Sequence, residues 1–368
     1  MDLDVIFKSF FALLKAGLWN REPDCESFPL CPEKWERVYR LACKQTVEGI
    51  VYDGMLLLPE HLFPPKNLIL RWVVAIDFIE KRNKRMNMGI AELNDLFIKN
   101  RITAFLMKGQ GVAACYNHPL HRACGDIDWA FSDEENYHLA DQMIQQLNIK
   151  LEKQPGFSSD YVWKELVVEH HRHLLDISNP FISNYLRRLQ QQEHVHSVYL
   201  EINGQKVLLP SPLLTHLSVN SHILRHLLSF GISIRQLCDS ARVCYTYHHR
   251  PEMQSLKEIY RKLGIYHWMQ LLNSLLVNYL GMSAEYLPFP VKSNQKADWM
   301  MKDMLQGGSF GFYGGPFSKE TDLPQLQRKN VWLHMSVRFI RYVRYAPWEA
   351  CWFPLIHTYS HFKNWITK

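Results

Sequence analysis

The chain has 368 residues, 47% hydrophobic and 13% aromatic, and a formal net charge of +6. Those values exclude a disordered or low-complexity polymer and leave room for two or three packed units. The modest positive balance suits a phosphate-rich substrate, and no arginine-rich tail or RNA-binding signature points to nucleic acid.

In chain order, Leu3, Ile6, Phe7, Phe10, Leu14 and Leu18 recur at helical spacing and predict a helix with one apolar stripe. The N-terminus, carrying Asp2 and Asp4, has no basic region followed by an apolar run and cleavage site, so no secretory signal is expected. A proline-bearing loop follows, then predicted helices over about 35–55 and 68–99. In the second, Met86, Ile90, Leu93 and Phe97 keep helical spacing, and the basic run 81–85 reads as a solvated face. Residues 1–98 are therefore expected to form a helical region.

The most informative stretch is 103–131. An apolar run over 104–107 ends at Lys108 and Gly109, with small residues immediately after, so a buried strand should feed a tight turn and a helix. Backbone N–H groups at a helix start, approached closely because Gly109 and Gly111 lack side chains, favour anionic oxygens, and Lys108 adds a cation. Next comes Gly125-Asp126-Ile127-Asp128-Trp129. Strand alternation puts Asp126 and Asp128 on one face and Ile127 and Trp129 on the other. Two carboxylates on one face suit Mg²⁺, which binds through one or two carboxylates plus substrate phosphates. Either pattern alone is weak, since acidic pairs and Lys-Gly turns are common at surfaces; the strand, turn, helix, strand order is what makes them informative.

A helix after Phe131 is expected to be capped by Ser132 with Glu135 and to bury Tyr137, Ala140, Ile144 and Leu147. Strand candidates follow at 149–153 and within 161–174. In the latter Glu169, His171 and His173 share a face at spacing two. They could bind zinc, but strand-face histidines more often form hydrogen bonds, and a contact to phosphate or base is favoured for His171. A hairpin is expected over 198–209 around Asn203-Gly204, and helices from 213 onward. His222 and His226 lack the Glu of a metalloprotease motif, so packing or a hydrogen bond near the site is expected. Arg235 and Asp239 are placed to pair at i, i+4, with an Arg235 contact to triphosphate as the alternative. The glycine-rich run 306–316 lacks the Lys-Ser/Thr of a Walker loop and reads as a connection or lid; Arg338, Arg341 and Arg344 read as a basic surface stripe. The eight cysteines show no Cys-x-x-Cys pair, so reduced thiols are expected rather than a zinc ribbon or a disulfide framework. The longest stretch without Asp, Glu, Lys or Arg, 263–284, is broken by polar residues, so no membrane span and a cytoplasmic location are expected.

Lys108-Gly109, Tyr116, Arg122 and Gly125 to Asp128, in that order, resemble the DNA polymerase beta-type nucleotidyltransferase superfamily, and more narrowly its bacterial group of uncharacterised nucleotidyltransferases. Where the superfamily commonly has Gly or Ser in the turn, this chain has Gln110. The resemblance implies an α+β (mixed α/β) fold: a nucleotidyltransferase core over 99–210 with a small mixed sheet, between a helical region 1–98 and a helical domain 211–368. It implies Mg²⁺, or Mn²⁺, held by Asp126, Asp128 and a third acid, here Glu169, with Asp176 and Glu201 as competitors. Lys108, Gly109, Gln110, Arg122, His171 and Arg235 would then bind nucleotide. The implied reaction moves a nucleoside monophosphate from an NTP to a small-molecule, protein or RNA acceptor. The alternatives are a non-catalytic nucleotide-binding regulatory module and a toxin-like transferase acting on tRNA or protein.

Overall fold

A computed structural model describes residues 2–154, 158–229, 231–292, 297–307 and 331–366. The glycine-rich run expected as a connection or lid lies, beyond Gly307, outside the described residues. The fold is mixed α+β, as expected. In chain order the elements are α1 (Asp2–Trp19), α2 (Pro32–Lys44), α3 (Glu48–Met55), α4 (Lys66–Lys99), β1 (Ala104–Leu106), α5 (Lys108–Ala113), β2 (Ile127–Phe131) and α6 (Glu134–Gln146). Then come β3 (Glu152–Gln154), β4 (Ser158–Trp163), β5 (Leu166–His171), α7 (Ser183–Glu193), β6 (Val198–Ile202), β7 (Gln205–Leu209) and α8 (Pro212–Ser229). The chain continues through α9 (Ile234–Tyr247), α10 (Leu256–Lys262), α11 (Tyr266–Leu280), α12 (Asp298–Gly307), α13 (Val331–Tyr342) and α14 (Pro347–Ile366). No helix among the described residues is long and apolar enough to cross a membrane. All eight cysteines are unbridged.

Five strands form one sheet in the order β1-β2-β5-β4-β3. The central pair β2 and β5 is parallel, and the other neighbours are antiparallel. A period of two gives this sheet two different faces. On one, Ala104, Leu106, Ile127, Trp129, Phe131, Tyr161 and Val168 join Met86, Ile90, Leu93 and Phe97 of α4 and Tyr137, Ala140 and Ile144 of α6 in a dry core. The opposite face carries Phe105 and Ala130 toward the large helical core and then turns polar at Asp128, Glu169 and His171. That large core includes residues of α1–α3 and of α8–α14 together. The 34-residue α4 serves both cores, Leu68, Trp72, Ile76 and Ile79 packing in one and Met86 onward in the other; at 1.5 Å per residue it is roughly 50 Å long.

Several local expectations change. The helix expected over 35–55 is two helices, broken where Thr46 takes φ +53° and Gln45 turns its side chain inward, accepting from the Ile234 N–H and donating to the Met304 carbonyl. The cap of α6 is Asp133, whose carboxylate accepts the Asn136 N–H at 2.8 Å, while the Ser132 hydroxyl donates to Asp133 instead of capping. Leu147, expected in the core, is exposed. In the basic run of α4, Asn83 is fully buried and donates to the Leu120 and Arg122 carbonyls, so it pins the loop ahead of β2. Arg338 is buried too, paired with Asp303 at 3.1 Å, because α13 packs against α8 and α12 lies alongside.

Candidate active site

The site is built on the polar face of β2 and β5. Parallel pairing sets Asp128 opposite Glu169, and antiparallel pairing sets Glu169 opposite Asp160 of β4. Three acids therefore lie in a row across three strands. Two residues on, His171 shares the face, and the ligand atoms of Asp128, Glu169 and His171 all lie within 4.8 Å of one another. His171 Nε2 is 2.7 Å from Asp128 Oδ1 and 3.4 Å from Glu169 Oε2. Asp126 stands just before β2 and is close enough for the two aspartates to perturb each other. The row would be costly unless cations offset it.

Lys108 supplies one. It leaves β1 directly, and Nζ lies 3.3 Å from Asp128 Oδ1 and 3.3 Å from His222 Nδ1 of α8. The next residue, Gly109, has φ +27° and ψ −116°, a conformation open to glycine and strained for other residues, and a Cβ there would lie 3.3 Å from the Asp126 carbonyl oxygen. So the turn hugs the acidic strand, and the helix expected beyond it is only six residues long, with the kink at Gly109. Asp176, past β5, accepts from Arg225 and lies 2.9 Å from His222 Nδ1. A single Nδ1 cannot both donate to Asp176 and accept from Lys108; the shorter contact assigns its proton to Asp176.

The charges divide accordingly. The Asp128 charge, with burial second, pushes the Asp126 carboxyl up to about 6. Burial also acts to raise Asp128, but Lys108 and His171 outweigh it and hold that carboxyl well below the usual range. Burial opposes the charge on Lys108, and Asp128, Asp176, Glu169 and Asp126 together keep its pKa raised. Asp176 is likewise held low against burial, by Arg225 and His222. Burial and Lys108 outweigh Asp176 and lower the His222 pKa, which favours the neutral imidazole.

The other residues singled out in the sequence divide into two groups. Arg235 faces the site: its charge acts on Asp126, Nη1 donates to the Ala123 carbonyl at 2.7 Å, and Nε is buried with no protein partner. Its expected pair with Asp239 does not form, because Arg122 takes that carboxylate with two bonds of 2.9 and 2.6 Å and the Tyr116 hydroxyl donates to it at 2.7 Å. Arg122 is thus buried in a bidentate ion pair. Gln110 is also turned inward, donating to the Asn83 side chain at 2.9 Å. Glu201 is exposed on the β6–β7 hairpin, opposite Lys206. His173 is not in the Asp128 group. Sequence reading gave no place to Asp160 or Arg225. Asp160 sits in a hairpin whose two turn residues, Lys164 and Glu165, take φ +46° and +71° without the Asn or Gly that normally marks such a turn.

A divalent cation is tested by the donor set itself. Asp128 and Glu169 bring carboxylate oxygens within 4.8 Å of each other and of the His171 ring nitrogen, and Asp160 Oδ1 is buried without a partner. Oxygen donors beside one imidazole fit Mg²⁺ or Mn²⁺.

Residues 32–281 match the family model described as uncharacterised nucleotidyltransferase. The chain belongs to this family. No curated protein sequence matches it. Among solved structures it is similar to an antigenic nucleotidyltransferase-like protein from Paracoccidioides brasiliensis, at 17% identity and TM-score 0.32, over 54% of this chain and 92% of that one. The matched region contains the Lys108 turn, all three acids of the row and α8.

Proposed function

We propose that this nucleotidyltransferase moves a nucleoside monophosphate from an NTP to an acceptor at the polar face of β2 and β5. The observation that carries the reading is the Asp128, Glu169 and His171 group abutting the Lys108-Gly109 turn. Asp126, Asp128 and Glu169 would hold Mg²⁺, and the chemistry the ion supplies when bound is neutralisation of phosphate charge. Lys108 binds phosphate oxygens as a point charge, and Arg235, with a donor to spare, binds them from α9. Gly109 lets the phosphates approach the backbone. Glu169, half-buried beside His171, accepts the proton of the attacking group. His171 orients Asp128 through its 2.7 Å hydrogen bond.

The test is incubation of the purified protein with ATP, GTP, CTP or UTP labelled at the α-phosphate, Mg²⁺ or Mn²⁺, and a cell extract, with mass spectrometry of labelled products. A nucleotide adduct that disappears on chelation supports the reading. Absence of any adduct, with no NTP binding by calorimetry, refutes it. A second reading, nucleotide binding without transfer, draws on Asp128 already being engaged by both Lys108 and His171; NTP affinity unchanged by chelation, without adducts, would favour it.

A further inference from the structure

A cavity of about 620 Å³ opens beyond the carboxylate row, between the end of β5, the loop after it, α7 and α14. It meets the site only through His171, Asp176 and Arg225. Lys108, Gly109, Asp126, Asp128 and Glu169, the groups suited to an NTP and its metal, do not line it. An in-line displacement needs room for the attacking group apart from the groups that hold the NTP, and this cavity adjoins the site without being lined by them.

The walls say what it would take. Of the three arginines in the wall, Arg225 is committed to Asp176 and Arg172 to Glu134, while Arg187 bonds to Asn184 and is matched in number by Asp133. The arginines are therefore charge-balanced, and a triphosphate would not find the cation surplus it needs. Asn179 Oδ1 already accepts the Phe181 N–H and Gln190 Nε2 donates to the Phe131 carbonyl, which leaves the Asn179 amide NH2 as a donor and the Gln190 amide oxygen as an acceptor for a hydroxyl group, while Leu186 and Phe353 give apolar backing. The volume falls within the range of small-molecule pockets.

We propose that this cavity receives the acceptor, and that the acceptor is a small polar molecule bearing a hydroxyl group. The assignment rests on the nucleotidyl-transfer reading above. In the step, the acceptor oxygen bonds to the α-phosphorus and the bond from that phosphorus to the α,β-bridging oxygen breaks. Pyrophosphate leaves with the electron pair, and the hydroxyl, reaching out of the cavity past His171, which stands 3.4 Å from Glu169, gives its proton to the Glu169 carboxylate.

The experiment offers the full-length protein, with α-labelled NTPs and Mg²⁺, the small-molecule and the macromolecular fractions of a cell extract separately. Wild type should label a compound in the small-molecule fraction. Ser183→Trp and Gln191→Trp, both at exposed wall positions of α7, should lower that transfer about tenfold or more, the loss of roughly one to two wall contacts. The acceptor KM should rise while NTP affinity stays within about twofold of wild type. Label confined to protein or RNA would overturn the assignment. So would wild-type transfer in both tryptophan variants, or NTP affinity falling with transfer, which would make the cavity the nucleotide pocket. If wild type binds no NTP and labels nothing, the transfer reading itself fails and the cavity assignment with it.

Discussion

Asp128→Asn separates the site's chemistry from its contribution to the fold. The amide keeps the size of the carboxylate, and its oxygen still accepts from His171 Nε2, now 2.7 Å away. What is lost is the charge, facing His171 and the Lys108 ammonium at 3.3 Å, about 1.5 kcal/mol for each of the two partners by the difference between charged and neutral hydrogen bonds. Against that stands Asp126, raised from 3.8 to about 6 chiefly by the Asp128 charge. A rise of that size is worth about 3 kcal/mol, most of it returned once the neighbour is neutral. The two effects offset, so the variant should unfold within about 1 kcal/mol of wild type at pH 7. The signs differ with pH. A raised carboxyl such as Asp126 contributes stability present below 3.8 and lost as pH rises through about 6, so relief in the variant grows across that window. Urea unfolding at pH 4 and pH 7, together with labelled-NTP transfer, reads both properties. Transfer should vanish while the urea midpoint barely moves at pH 7. Retained turnover would remove Asp128 from the chemistry, and a loss above about 4 kcal/mol at pH 7 would show that the ion pair dominates and the offset argument is wrong.

Gly109→Ala should cost about 1–2 kcal/mol, because φ +27° is strained for alanine, and should weaken NTP binding in calorimetry; unchanged affinity would make the turn purely structural. Arg122→Lys should lose one of two bonds to Asp239, about 2 kcal/mol in urea unfolding, with NTP affinity within twofold; a much larger drop in affinity at equal stability would give Arg122 the nucleotide contact its place in the sequence suggests. His121 bridges Asp53 at 2.6 Å and Glu80 at 3.0 Å, and the Asp53 bond above all, against burial, raises its pKa. Its stabilisation is therefore complete below the ordinary histidine range and lost as pH rises through the raised value. His121→Ala should lower the melting midpoint by the equivalent of about 1.5–3 kcal/mol at pH 5.5 and by much less at pH 9; an equal deficit at both would mean that packing, not charge, is lost.

What could be read from the sequence was periodic and local. Alternation alone separates Asp126 and Asp128 from Ile127 and Trp129, and the structure buries those two apolar residues among Phe97 and Val168. The spacing of two that joins Glu169 to His171 survives in the parallel pairing of β5 with β2. The hairpin around Asn203-Gly204 is found because Asn203 and Gly204, both at positive φ, are the residue types that turn prefers. Partners fixed by tertiary packing were not legible. Arg235 and Asp239 sit one turn apart on α9, yet Arg122, 117 positions earlier in the chain, reaches Asp239 with better geometry. In the same way nothing in a run of five polar residues distinguishes Asn83, which is buried under the loop before β2, from the exposed lysines beside it.

The row from Asp128 through Glu169 to Asp160 also bears on which acid completes the site. Like charges side by side on neighbouring strands oppose sheet formation, so a fold keeps such a row only where something positive lies over it. Over Asp128 the structure places Lys108 and His171, and Glu169 Oε2 shares His171 at 3.4 Å. Asp160 has no such cation within the ion-pair contacts of the described residues; burial first, and Glu169 second, push its carboxyl up to about 7. Its carboxyl therefore holds a proton more firmly than an ordinary aspartate, whereas Lys108 and His171 hold Asp128 ionised. Glu169 is the acid coupled to Asp128 by both strand register and a shared histidine. Asp160, one strand further out, is where a ligand bringing positive charge would gain an additional carboxylate.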